Sequence, residues 1–132
     1  MELGYTTRLQ TTFDDAVART RAALGEQGFG VLTEIDVTTT LKNKLDADIE
    51  NYLILGACNP ALAYRALGVD RQIGLLLPCN VIVRDDTATS GSVVVEAMNP
   101  DIMVAVTDAP GLRDVAADAA TKLRAAIAAL GA

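Results

Sequence analysis

The chain contains no histidine and no tryptophan, and its aromatic residues are limited to three Tyr and two Phe. The lack of histidine excludes Ser-His-Asp and Cys-His catalysis, His-ligated zinc and general acid–base chemistry by imidazole. Any chemistry must therefore use thiols, carboxylates, lysine, tyrosine or backbone groups. The scarcity of aromatic rings means that the core must be built from aliphatic side chains.

Basic residues are also scarce, because 11 Lys and Arg stand against 17 Asp and Glu, for a net charge of −6. They are scattered singly, so the sequence predicts neither a nucleic-acid partner nor an anionic membrane surface as partner. No apolar stretch approaches the roughly 20 residues that span a bilayer, and the N-terminus lacks the pattern of a signal peptide. We therefore expect a cytoplasmic protein with reduced cysteines.

The overall composition is globular, since 51% of the 132 residues are hydrophobic and 21% are charged. A chain of this length is sufficient for one compact domain with a real core, but too short for two ordinary domains. We therefore assign residues 1–132 to a single domain.

Two helices have clear start signals in the sequence. Thr12 followed by Asp15 is typical of a capping box at the start of a long first helix. Gly28 is typical of the left-handed residue that follows the end of such a helix. Asn59 followed by Pro60 predicts the cap and the first residue of a short helix. Two further helices are predicted, a short one in 38–48 capped by a threonine and a long one in 110–131.

Five strands are predicted, in the ranges 2–10, 28–37, 49–58, 73–85 and 92–98, the last two joined by a hairpin turn at 85–91. Alternation in the second strand places Val31, Thr33 and Ile35 on one face. Leu32 lies on the other face, together with Glu34 and Asp36. Pro78 in the fourth strand predicts a bulge or an edge position, because proline cannot donate a ladder hydrogen bond. Residues 99–106 fit either a helix or an extended segment.

The order of these elements indicates the fold class. Strands and helices do not alternate strictly, and a hairpin lies in the middle of the chain. This arrangement favours an α+β two-layer sandwich, in which helices cover one face of a mostly antiparallel five-stranded sheet.

Three motifs, GFGVLTEIDV, ILGACNPALA and LLLPCNVIV, occur in this order along the chain. Because of these three motifs, the chain resembles the family called domain of unknown function 302 over roughly residues 20–106. The long C-terminal helix fits the pattern of this family as well. The resemblance implies a β-α-β4-α sandwich with two long helices and two short inserted helices. It also implies a homodimer, and it implies no activity.

The two cysteines, Cys58 and Cys79, are each followed by an asparagine. Cys58 precedes a predicted helix start, where the helix N-terminus stabilises a thiolate, and a bulge at Pro78 would re-aim Cys79 towards a cleft. The alternative is that both thiols are small buried hydrophobes that serve only packing. Asn80, within an apolar strand, either fixes a neighbouring loop or lines a polar pocket.

Three functions are compatible with these residues. The leading hypothesis is a non-enzymatic or accessory homodimer that binds a small ligand near Cys58, Asn59, Pro60, Cys79 and Asn80, where sulfur and polar groups interrupt apolar sequence. The second is a thiol-dependent redox protein, or one that holds a soft ion such as Cu(I) between Cys58 and Cys79. The third is a purely structural interaction module. The sequence identifies no cofactor and no reaction.

Overall fold

The computed structural model describes residues 1–131, and this range contains a five-stranded sheet. The strands are Gly4–Gln10 (β1), Gly30–Asp36 (β2), Tyr52–Cys58 (β3), Cys79–Asp85 (β4) and Ser92–Met98 (β5). Their order across the sheet is β1-β5-β4-β3-β2, and every neighbouring pair is antiparallel. The predicted α+β sandwich is confirmed.

Two long and three short α-helices connect and cover these strands. The helices are Phe13–Glu26 (α1), Val37–Leu45 (α2), Pro60–Val69 (α3), Asp101–Thr107 (α4) and Arg113–Gly131 (α5). Two 3₁₀ segments, Arg71–Leu76 and Pro110–Leu112, precede β4 and α5. The segment that the sequence left open between helix and strand is therefore mostly the short helix α4.

The predicted boundaries of α1 are confirmed. The Thr12 hydroxyl accepts a hydrogen bond from the Asp15 backbone N–H at 3.2 Å. The Asp15 carboxylate accepts from the Thr11 hydroxyl at 2.7 Å rather than from the Thr12 N–H, so only one half of the predicted capping box is formed. At the other end, Gly28 has a φ of 82°, which a residue without a side chain adopts at no steric cost.

The predicted strand over 73–85 is wrong for its first part. Residues 71–76 form a 3₁₀ segment, whose first turn is capped because the Asp70 carboxylate accepts from the Gln72 N–H at 2.9 Å. Ile73 in this segment is fully buried, so the apolar run is explained by packing rather than by a strand. Pro78 precedes the first residue of β4, a central strand, and so marks neither a bulge within it nor an edge.

The bulge lies instead in the edge strand β2. Val31 pairs with Ala57 and Thr33 with Gly56, so Leu32 is an extra residue without an opposite partner. Beyond the bulge the alternation is reversed, and Val31 does not share a face with Thr33 as predicted.

The cap of α2 also differs from the prediction. Asp36 caps this helix, accepting from the Thr39 N–H at 2.9 Å. The Thr38 hydroxyl is used elsewhere, because it donates to the Glu50 carbonyl and accepts from the Tyr52 N–H. The last residues of β2 therefore lead directly into the helix.

The buried side chains form two clusters. The sheet cluster lies between the sheet and the helices α1 and α5, and its members are Tyr5, Leu9, Ala16, Leu24, Phe29, Leu53, Leu55, Ala57, Cys79, Val81, Val83, Val93, Val95, Ala97, Ala120, Leu123, Ala126, Ile127 and Leu130. The helical cluster joins α3, α4, both 3₁₀ segments and the start of α5, and its members are Leu62, Ala66, Ile73, Met103, Leu112, Val115, Ala116 and Ala119. The two clusters meet at the end of the sheet where β3 finishes and β4 begins.

The opposite face of the sheet carries polar side chains alongside apolar ones such as Val94 and Ile82. Across β1, β5 and β4, the Thr6 hydroxyl donates to the Glu96 carboxylate at 3.1 Å, and Arg84 donates to the same carboxylate at 3.0 Å. Glu96 lies opposite Thr6 in the β1–β5 register. This face is therefore held by cross-strand polar contacts, and the apolar core lies on the helix side.

We predict that Gly56→Ala lowers the free energy of unfolding by about 1–3 kcal/mol, measured by urea denaturation. A Cβ at this position overlaps Thr33 Oγ1 and lies 2.8 Å from Pro78 Cγ, so β2 and the start of β4 must move apart. Gly30→Ala is the matched control, because a Cβ there meets no atom within 4 Å. Equal stability of the two variants would contradict the close approach.

Candidate functional site

A cavity of about 250 Å³ lies at the seam between the two clusters. Phe29, Ala57 and Cys79 of the sheet cluster line one side of it. Met103 and Val115 of the helical cluster line the other side. The cavity therefore exists because the two halves of the core do not close completely against each other.

The lining of this cavity is almost entirely apolar. Its polar members are Cys58, Asn59 and Cys79, and no Lys, Arg, Asp or Glu borders it. The lining side chains not yet named are aliphatic, and several of them are alanines; they are Leu32, Leu62, Ala63, Ala66, Leu77 and Ala119, together with Pro78. Small side chains at these positions leave the space that larger ones would fill.

Cys58 and Cys79 both line this cavity, and both are free thiols. Cys79 lies opposite Ala57 in the β3–β4 register, one position from Cys58, so the cysteines are not a directly opposed cross-strand pair. Burial raises the pKa of Cys79 to about 11, and the proximity of Cys58 adds to the effect. Cys79 is therefore a neutral thiol at neutral pH.

Asn59 holds the cavity end of α3 in place. Its Oδ1 accepts from the Leu62 N–H at 3.3 Å, which is the predicted helix cap. Its Nδ2 donates to the Gln27 carbonyl at the end of α1, at 3.5 Å. Because both ends of the amide make hydrogen bonds within the protein, Asn59 positions α3 against the end of α1.

The other two residues singled out from the sequence lie outside the cavity. Pro60 is the exposed first residue of α3 and does not line the cavity. Asn80 is exposed, and alternation along β4 places it on the face opposite to the buried Cys79. It borders a separate groove on the polar face of the sheet, with Ile82 and Tyr52.

The sequence reasoning missed the part of the cavity that the helices supply. Met103 on α4, and Val115 and Ala119 on α5, are distant from the cysteines along the chain. The stripe of buried positions in α5 is visible in the sequence, but the point where it borders the cavity depends on tertiary packing. Leu32 was also missed, because simple alternation assigned it to a solvated face.

Metal-ligand clusters and membrane-spanning helices are both absent from the described range, residues 1–131. There, no group of three or more His, Cys, Asp or Glu side chains is arranged to hold a metal ion. None of the helices in this range combines the length and the apolar character needed to cross a membrane.

Comparisons with known proteins agree with this fold. The sequence model of the family described as domain of unknown function DUF302 matches residues 5–130. A crystal structure described as an uncharacterized conserved DUF302 protein from Bacillus stearothermophilus has a TM-score of 0.87 and 29% sequence identity, covering 97% of this chain and 98% of that chain. No curated protein matches the chain significantly.

We predict that Cys79 makes stability fall at alkaline pH. The pKa of Cys79 is raised from an ordinary 9.0 to about 11 in the folded protein. The neutral thiol therefore makes its full contribution to the free energy of unfolding below pH 9, and this contribution is lost as pH rises towards 11. Urea denaturation across this range should show a loss on the order of 2–3 kcal/mol that Cys79→Ala lacks. Cys58→Ala is the control and should keep the loss. Identical profiles for wild type and Cys79→Ala would contradict the buried neutral thiol.

Proposed function

The chain belongs to the domain of unknown function DUF302 family, and from that premise we propose that it binds a small, uncharged, apolar molecule. The ligand occupies the cavity between the sheet cluster and the helical cluster. The observation that carries this proposal is an apolar cavity of about 250 Å³ whose lining contains no charged side chain.

The volume of the cavity limits the size of the apolar group that it can enclose. It exceeds the roughly 150 Å³ of an apolar cavity that accepts benzene, and lies just below the roughly 300 Å³ at which cavities for drug-sized molecules begin. At about 250 Å³ it suits a ligand of one or two rings, or a short branched chain. Burial of such a ligand against aliphatic side chains supplies the binding free energy.

The lining chemistry supports a neutral ligand. A charged group moved from water into this cavity would lose its hydration without gaining a counter-ion, which is strongly unfavourable. Asn59 is neutral, and its amide oxygen and one of its two N–H groups already make hydrogen bonds within the protein. The remaining polar contacts come from the thiols of Cys58 and Cys79, which are weak donors.

The thiol-based alternative has less support in this geometry. Redox exchange and soft-metal binding both use thiolates, whereas burial raises the pKa of Cys79 to about 11. The register does not place Cys58 directly opposite Cys79. A redox or Cu(I) role therefore stays a prediction of the sequence, and the cavity favours binding of a neutral molecule.

We predict that prodan, a neutral fluorescent naphthalene, binds to the wild-type protein with a blue-shifted emission. Ala63→Leu should weaken this binding by about tenfold or more, because the larger side chain on α3 fills the space that the probe occupies. Ala61→Leu is the matched control, since Ala61 is an exposed residue of the same helix that does not line the cavity. Fluorescence titration measures each affinity.

The charge of the ligand is tested with a second pair of compounds. The anion 2-naphthoate should bind at least about tenfold more weakly than neutral 2-acetylnaphthalene, which has a similar shape. Absence of binding of both prodan and 2-acetylnaphthalene to the wild-type protein, or unchanged binding of prodan to Ala63→Leu, would show that this cavity is not a ligand site.

The homodimer implied by the family resemblance stays a separate prediction. Sedimentation velocity at micromolar concentration should give the mass of two chains, twice 13.8 kDa. The measurement is repeated with saturating prodan, so that any coupling between assembly and ligand binding is seen. A single species with the mass of one chain at every concentration would contradict the expectation.

A further inference from the structure

We propose that Leu32, the extra residue of the bulge in β2, is part of the ligand-binding surface at the mouth of the cavity. The ligand then has one apolar part inside the cavity and a second apolar part that covers Leu32. This inference deepens the proposed function and rests on it.

The bulge places Leu32 at this position. Before it, Val31 pairs with Ala57, and after it, Thr33 pairs with Gly56, so Leu32 has no partner on β3. The extra residue in a bulge bends its strand and re-aims its side chain, and bulges are frequent next to binding sites. Here the re-aimed side chain borders the cavity near the end of β3.

Exposure alone does not single out Leu32. Leu45 and Leu75 are 71% and 83% exposed, and isolated exposed leucines are ordinary on protein surfaces. Leu32 is 68% exposed and, unlike those two, also lines the cavity. Most of its side chain is therefore available for a ligand that already fills the space behind it, and covering that surface adds to the affinity.

The position of Leu32 also defines the ligand more closely. A molecule that fits completely inside the cavity contacts only the part of Leu32 that lines it, and leaves most of that side chain in water. A longer molecule extends past the mouth and buries the leucine side chain. We therefore infer a neutral ligand that is elongated, with apolar groups at both ends.

The test compares two neutral probes on two leucine variants of the full chain. Leu32→Ser should weaken binding of prodan by about tenfold, because the outer part of the probe loses its apolar contact. Toluene, which is short enough to be enclosed, should bind Leu32→Ser and wild type with affinities within about twofold of each other. Leu45→Ser is the matched control and should bind both probes as the wild type does. Leu32→Met should restore most of the affinity for prodan.

The outcomes separate this inference from the proposed function. If wild type binds neither probe, the cavity is not a ligand site and both proposals fail. If wild type binds prodan and Leu32→Ser binds it equally well, the ligand site stands and the role of Leu32 is refuted. If Leu32→Ser weakens toluene as much as prodan, Leu32 shapes the cavity rather than contacting the ligand, which also refutes the inference. Urea denaturation of each variant establishes that folded protein is compared.

Discussion

The packing of α5 against two different layers is the constraint on which the rest of the structure depends. Its second half contributes Leu123 and Ile127 to the cluster under the sheet. Its first half contributes Val115, Ala116 and Ala119 to the cluster with α3 and α4. One rigid helix must therefore satisfy two packing partners, and close packing is achieved within each cluster but not at their boundary. The cavity is the space that remains there.

Those parts of the fold whose determinants lie within a few residues could be predicted from the sequence. Thr12 caps α1 through an N–H three residues on, and Asn59 and Pro60 start α3 in the same local way. The 3₁₀ structure of the residues before Pro78 could not be predicted, because their apolar side chains are equally compatible with a strand. Only the tertiary structure shows that Ile73 is buried among helices. The bulge at Leu32 was equally hidden, since a register shift depends on the partner strand.

The candidate site divides in the same manner. Cys58, Asn59 and Cys79 were recognised because they interrupt apolar sequence at the ends of strands, and all three border the cavity. Asn80 and Pro60 were grouped with them by proximity along the chain, whereas strand alternation and the helix start place them outside it. In the sequence, the two sulfur atoms also indicate thiol chemistry, as the second hypothesis. Their apolar environment favours the neutral form of Cys79, and the cysteines contribute to the cavity as soft, weakly polar surface.

The bulge in β2 has a second consequence, which concerns aggregation. β2 is an edge of the sheet, and an unbroken edge strand is a template on which strands of other molecules can add. The extra residue interrupts the regular spacing of donors and acceptors along that edge, and the acidic residues Glu34 and Asp36 lie in the part of β2 that follows it. Deleting one residue to remove the bulge would therefore have two effects. It would remove the contact of Leu32 at the cavity mouth, and it would give neighbouring molecules a continuous strand edge along which to polymerise.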